Sequence, residues 1–382
     1  MLDSVVNKQV TAAEALAPAI KPRAGEIEAA RQLPQDIAQS FLDADLVRMG
    51  IAKDYGGLES APLDIIRTIV PIARADASAA WCLMNYQTAA LISGFVSPDC
   101  GKEVFSNAET CIPSGVLAPV GRGQRVEGGI KVSGRWSFGS GCPNANWFFG
   151  MTVIQNDNDT ADKTQVVMAM FSEDQFKTID NWNVSGLSGS GSGDVVVEQA
   201  FVPEGRWWSL QEAPTLDGAL FKIPLSTIFP PCVAAVSLGI AEAALDEFEQ
   251  MLNAAESGHA SPMLEHPGIH ADFARAEALV GSATSFIFST VEAMWDSVCR
   301  GDSLSQEQRR LVRLAGTHAA ASCAQAIDLL FDAAGSSSIL LEQPLQRYWR
   351  DAHAVTKHIQ VSRKNFETMG CLRLTGNLNG QL

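Results

Sequence analysis

"WNVSGLSGSGSGDVVVEQAFVPEGRWW", residues 182–208, carries two textures that no single helix can hold. Its first half sets glycine at 186, 189, 191 and 193 against serines at 185, 188, 190 and 192, a composition for tight turns with accessible backbone N–H groups. Its second half, "GDVVVEQAFV", is strand-length and β-branched and closes on Pro203. The same texture runs upstream in "GGIKVSGRWSF" (128–138), "NWFFGMTVI" (146–154) and "TQVVMAMF" (164–171), with turn signals at Glu127-Gly128-Gly129 and Asn156-Asp157-Asn158-Asp159. Residues 111–215 therefore read as a small antiparallel β domain and not as a βαβ array. The glycine-spaced "GRGQRVEGG" (121–129) precedes a strand, not a helix, so a hairpin turn replaces the dinucleotide-fingerprint reading.

On either side the period lengthens to that of helices. In residues 1–110, "QDIAQSFLDADLVRMG" (35–50) carries a stripe of Ile37, Phe41, Leu42, Leu46 and Met49 that stops at Gly50. After the loop "DYGGLES", residues 62–95 are long enough for two helices broken near Pro71 or Asp76. From 216 to 382 four long alanine- and leucine-rich segments begin at Val233, His270, Ser305 and Pro344, punctuated by Gly258, Gly301 and Gly335. They suit a four-helix bundle whose alanine faces allow close approach within and between subunits. The fold class is α+β: an N-terminal all-α domain, the β domain and the bundle.

Of the 382 residues 46% are hydrophobic and 19% charged, a well-buried globular composition. The net charge of −15 opposes nucleic acid or an anionic membrane as the main partner. No run approaches the roughly eighteen apolar residues of a membrane span and no export signal opens the chain, so a cytoplasmic protein is expected. Eight cysteines lie scattered without a CxxC pair, which reads as reduced structural thiols. His266 and His270 in "HPGIH" lack supporting ligands, so no metal is expected.

Two candidate groups remain. "RYWRDAHAVTKHI" (347–359) reads as one helix, on which His353 and His358 lie about 140° apart and cannot share a face. His353 falls in line with Arg350 and Lys357. His358 falls in line with Asp351 and Val355 and is the better choice for a buried, chemically used histidine, with a helix-packing role as the alternative. Ser140 follows a strand-like run and precedes Gly141, so its hydroxyl is offered where little bulk blocks a flat ligand.

Helices, a small β domain and a four-helix bundle, in that order, resemble the acyl-CoA dehydrogenase superfamily of flavoproteins. "SFGSGCPNANWFFG" resembles its segment against the flavin ring, "GLSGSGSGDVVVEQAFVPEGRWW" its later glycine-rich strand, and "AAGSSSILLEQPLQRYWRDAHA" its helix-turn-helix ending in Arg-Asp-Ala. The resemblance covers roughly residues 30–370. It implies that Ser140 bonds the flavin N5, that Phe138 and Trp147 flank the ring, with Trp136 as a further flank or plain sheet core, that Ser190 and Ser192 suit a flavin phosphate or ring edge, and that Arg350 contributes to cofactor binding. Asp351 is equally suited to capping and cross-linking helices.

Dehydrogenases of the superfamily carry a glutamate base at a fixed interval after Arg-Asp-Ala. Here that interval lands on Ile359, and the alternative position in "LSTIFPPCVAAVSLG" offers no acid. The sister group, the two-component flavin-dependent monooxygenases, has histidine near this spot and a tryptophan, glycine-serine and aspartate pattern matched by "WNVSGLSGSGSGDVVV". That resemblance implies reduced flavin (FADH2 or FMNH2) delivered by a separate NAD(P)H:flavin reductase, O2 added at the flavin C4a, and transfer of one oxygen to an electron-rich substrate in a homotetramer. His358 would manage the proton, and Trp81, Asn85, Tyr86 and Gln87 would line the substrate. Relatives hold an extra histidine or arginine where this chain has Tyr86 or Gln87, and Ser188, which favours a neutral, indole-like heteroarene over a phenolate. A dehydrogenase or oxidase with a displaced base, and a silent binding protein, are the alternatives.

Overall fold

The computed structural model describes residues 7–107, 110–155, 165–253 and 262–378. The Asn156–Asp159 turn and Gly258 lie outside them. The N-terminal helices are α1 (Lys8–Ile20), α2 (Ala24–Ala30), α3 (Gln35–Asp43), α4 (Pro62–Ala75), α5 (Ala77–Ala90) and α6 (Pro98–Phe105). Of the two break points read between α4 and α5, Asp76 is the one used. Its carboxylate accepts the Ala79 N–H (2.8 Å) and starts α5, while Pro71 is absorbed inside α4. Thirteen of the fourteen residues of α5 are buried, so this helix has no solvent face and runs through the centre of the molecule.

The strands are β1 (Pro113–Val126), β2 (Gly129–Trp136), β3 (Trp147–Gln155), β4 (Gln165–Ser172), β5 (Lys177–Ile179), β6 (Asp194–Pro203) and β7 (Trp207–Trp208), in sheet order β5-β6-β2-β1-β3-β4-β7. The β1–β2 hairpin turns at Glu127-Gly128, where Gly128 takes φ 76°. One pairing departs from the antiparallel expectation: β1 and β3 run parallel, because the 137–146 crossover returns the chain to the start of β1. That crossover holds Ser140. Under it the sheet interior is filled by Trp136, Phe148 and Phe171, with ring centroids 5.4 to 6.0 Å apart.

The bundle comprises α7 (Leu225–Asn253), α8 (Pro267–Cys299), α9 (Gln306–Ala334), α10 (Pro344–Val355) and α11 (Lys364–Thr375). Close approach is built into it: a Cβ on Gly239 of α7 would stand 2.4 Å from the Val70 carbonyl oxygen of α4. Two sequence expectations are corrected. The fourth segment is two helices, because the chain turns after Val355 and seats Val361 in the core. And α7, continuous through Pro230 and Pro231, is long and apolar enough to cross a membrane by length and composition, although 83% of its most apolar window is buried within the protein. The interior helix of a large core meets the same criterion.

Candidate active site

Three elements bring chemistry-bearing side chains to one corner: α5, the 137–146 crossover, and the turn after α10. The Trp81 N–H donates to Ser140 Oγ (2.9 Å), and the Trp81 ring meets His358 edge-on, centroids 5.3 Å apart. Ser140 Oγ lies 2.7 Å from Ser192 Oγ, which lies 2.7 Å from Ser190 Oγ. The Ser140 carbonyl is held from behind by the Ser114 hydroxyl (2.7 Å). Gly141, at φ 72°, is required here: an added Cβ would stand 2.6 Å from the Tyr86 ring. The Tyr86 hydroxyl donates to the Gly141 carbonyl (3.0 Å) and so fixes the turn from below.

His358 does not ride on a helix. It follows the α10 C-terminus, and the chain's reversal, not helical phase, turns it inward. Its Nδ1 accepts a long bond from the Gln360 N–H (3.4 Å), which leaves Nε2 as the protonated nitrogen of the neutral ring. Burial pushes its pKa down to about 4, although the residue as a whole is only half-buried. At neutral pH this ring is therefore an uncharged hydrogen-bond donor. His353 points elsewhere, pairing Nε2 with Asp328 (2.8 Å) and lying against Trp349.

The glycine-rich loop is anchored against the same corner. The Leu187 N–H donates to Asp351 Oδ1 (2.6 Å) and the Gly189 N–H to Ser78 Oγ (3.1 Å). Burial pushes the Asp351 carboxyl up to about 7, against the pull of that N–H donor, and likewise raises Asp76 to about 6. Among the described residues no carboxylate hydrogen-bonds to Trp81, Ser140 or His358. Ile359, where the dehydrogenase base would fall, presents its hydrocarbon 74% exposed.

Phe138 is the other unusual feature. It sits at φ 67°, a left-handed conformation rare for an aromatic residue, and the residue is 70% exposed, its ring touching Trp182 edge-on at 5.9 Å. A strained, exposed aromatic two residues from a buried hydroxyl is a platform for a flat group, and on this observation the residues fit a flavin ring: Phe138 as the face, Ser140 as the polar contact.

Several expected contacts are not where the sequence placed them. Trp136 is fully buried in the sheet and donates to the Met151 carbonyl (3.0 Å), so it cannot touch a ligand. Trp147 packs under the Arg206 guanidinium (5.2 Å) and lines an open concavity of about 480 Å³ with Asn146, Ser172, Glu173 and Asp174, a wall that contains none of the corner residues. Ser190 is buried with both its amide and its hydroxyl bonded to the Leu187 carbonyl, so it has no donor left for a phosphate. Arg350 is engaged with Glu28 (2.6 Å), the Ser185 carbonyl and Gln346. Tyr86 and Gln87 are core: Gln87 bonds the Leu46 carbonyl and Thr68. Trp81 and half-buried Asn85, which donates to the Trp81 carbonyl, remain at the corner. Sequence reasoning missed Ser78, Ser114 and Trp182. Only Trp182 carried a signal, lying at the head of the glycine-rich motif.

Comparison with known proteins follows this geometry. The acyl-CoA dehydrogenase N-terminal domain model matches residues 8–104 and the acyl-CoA dehydrogenase C-terminal domain model residues 231–363. The chain is 30% identical to an indole-3-acetate monooxygenase of Pseudomonas putida over 94% of its own length and 92% of the relative's. It is 29% identical to the flavin-dependent monooxygenase oxygenase subunit HsaA of Rhodococcus jostii, covering 90% and 92%. The crystal structure of a 3-HSA hydroxylase from Rhodococcus sp. RHA1 superposes with TM-score 0.90 at 26% identity, covering 98% of each chain.

Proposed function

The chain belongs to the flavin-dependent monooxygenases built on the acyl-CoA dehydrogenase fold, and from that premise we propose that it is the oxygenase component of a two-component system acting on a neutral, flat heteroarene of indole type. A separate NAD(P)H:flavin reductase supplies the reduced flavin, and the working form is a cytoplasmic homotetramer. When bound, reduced flavin supplies the electrons that activate O2, so that one oxygen atom enters the electron-rich ring and the other leaves as water.

The carrying observation is the Trp81–Ser140–His358 corner. Phe138 offers a face to the isoalloxazine and Ser140 an oxygen to its edge. His358, neutral and protonated at Nε2, donates a hydrogen bond to oxygen without placing a charge beside it. Trp81 holds both residues and screens them from bulk water, which favours oxygen transfer over release of H2O2. Among the described residues the His358 ring meets the Trp81 indole and the Gln360 N–H and hydrogen-bonds to no charged side chain, and this supports an uncharged substrate.

The test is turnover with indole, a partner reductase, NADH and isotopically labelled O2. One labelled oxygen per product, with flavin bound more tightly reduced than oxidised, is the expected result. Oxidised flavin retained through purification, together with desaturation of an acyl-CoA, would overturn the proposal.

A further inference from the structure

The three serine hydroxyls behind the corner have a fixed direction, and it follows from counting hydrogens. Ser190 Oγ lies 2.7 Å from the Leu187 carbonyl oxygen, which has no hydrogen to give, so the Ser190 hydrogen must lie in that contact. Ser190 can then only accept from Ser192, 2.7 Å away, and the single Ser192 hydrogen is committed there. Ser192 can in turn only accept from Ser140, again at 2.7 Å. Ser140 Oγ already accepts the Trp81 N–H. A hydroxyl has one hydrogen and two lone pairs, so what Ser140 retains for a ligand is one lone pair and no donor.

We infer that Ser192 and Ser190 are positioning residues that hold Ser140 as a pure acceptor and thereby select reduced over oxidised flavin. This rests on the flavin site proposed above. Reduced flavin carries a hydrogen on N5 and oxidised flavin a bare N5 lone pair. An acceptor matches the first and repels the second. Neither Ser192 nor Ser190 needs to touch the cofactor, consistent with their burial at 3% and 0%.

Removing Ser192 frees the Ser140 hydrogen to turn outward, and removing Ser190 lets Ser192 reverse and donate to Ser140. Either change lets Ser140 donate to oxidised N5. Ser192→Ala and Ser190→Ala should each lower the ratio of oxidised-to-reduced FMN dissociation constants by roughly tenfold, one hydrogen bond's worth. By linkage the midpoint potential of bound FMN should fall by about 30 mV for this two-electron couple. Ser192→Thr, which keeps the hydroxyl, should restore both values.

The measurement is anaerobic titration of purified protein with oxidised and dithionite-reduced FMN, with thermal melting as a check on folding. If both alanine variants bind FMN with the wild-type ratio, or with a raised one, the directed chain is wrong while the flavin site stands. If the wild-type protein binds FMN in neither state, the site and the chain fall together. If one alanine variant does not fold, the other decides between these outcomes.

Discussion

The sheet interior and the corner beside it each bury a tryptophan, but the two indoles use their N–H groups differently. Trp136 donates to a backbone carbonyl of its own sheet, 3.0 Å away, and packs against Phe148 and Phe171. Trp81 donates to the hydroxyl of Ser140 and lays its ring against His358. Burial does not separate them. The difference lies in the partner: a carbonyl already bound into a sheet ends the chain of contacts, whereas a hydroxyl passes it on to groups that a ligand can reach. The first region should answer mutation in stability, the second in chemistry.

The largest effect tests the first half of that contrast. Trp136→Ala leaves a cavity between aromatic rings and should destabilise the protein by about 3–5 kcal/mol in denaturant unfolding. A loss under 1 kcal/mol would mean that the sheet interior relaxes freely. His358→Ala tests the second half: product formation should fall by about 10²-fold, with consumed O2 diverted to H2O2 and the unfolding midpoint little changed. The companion His353→Ala should leave product yield within a few-fold of wild type, since its ring faces Asp328 and Trp349. The reverse pattern would place the chemistry on the wrong histidine.

Those two histidines also show how far the sequence could be read. Layer order and element types were legible because periods of two and of 3.6 are printed in the apolar pattern. The end of α10 was not, since "HAVTKHIQVS" contains neither glycine nor proline, and the helix stops because Val361 finds a place in the core. The rotational argument for His358 thus rested on a helix that does not extend to it. Alternation along β2 explains the inward Trp136, but Phe138 lies past the strand end at φ 67°, where alternation has no meaning. The serine chain was invisible for another reason, because Ser140 and Ser192 meet through tertiary structure, 52 positions apart.

The pH dependence of stability separates the corner from its anchor. His358, with a folded pKa of about 4 against an ordinary 6.5, is neutral in the folded state, so its contribution is present above pH 6.5 and is lost as the pH falls toward 4. Asp351 acts with the opposite sign. Its folded pKa of about 7 lies above the ordinary 3.8, so its contribution is present below pH 3.8 and is lost as the pH rises through 7. The two windows overlap between about pH 4 and 6.5 and oppose each other there, so Asp351→Asn should steepen the loss of stability toward acid that His358 causes, and His358→Leu the loss toward neutral pH that Asp351 causes. Urea titrations from pH 4 to 8 read both, and a variant curve parallel to wild type would refute the assignment for that residue.

The smallest expected effect bears most directly on the contrast between the two tryptophans. Trp81→Phe keeps an aromatic ring against His358 and removes only the N–H to Ser140. Loss of one buried neutral hydrogen bond is worth about 0.5–1.5 kcal/mol, so folding should weaken only slightly. The freed lone pair on Ser140 leaves that hydroxyl still an acceptor, because Ser192 continues to take its hydrogen. Preference for reduced flavin should therefore survive, while a less firmly held Ser140 lets the share of O2 released as H2O2 rise a few-fold. If the preference for reduced flavin collapses instead, the indole N–H, not the serine chain, sets the polarity of Ser140.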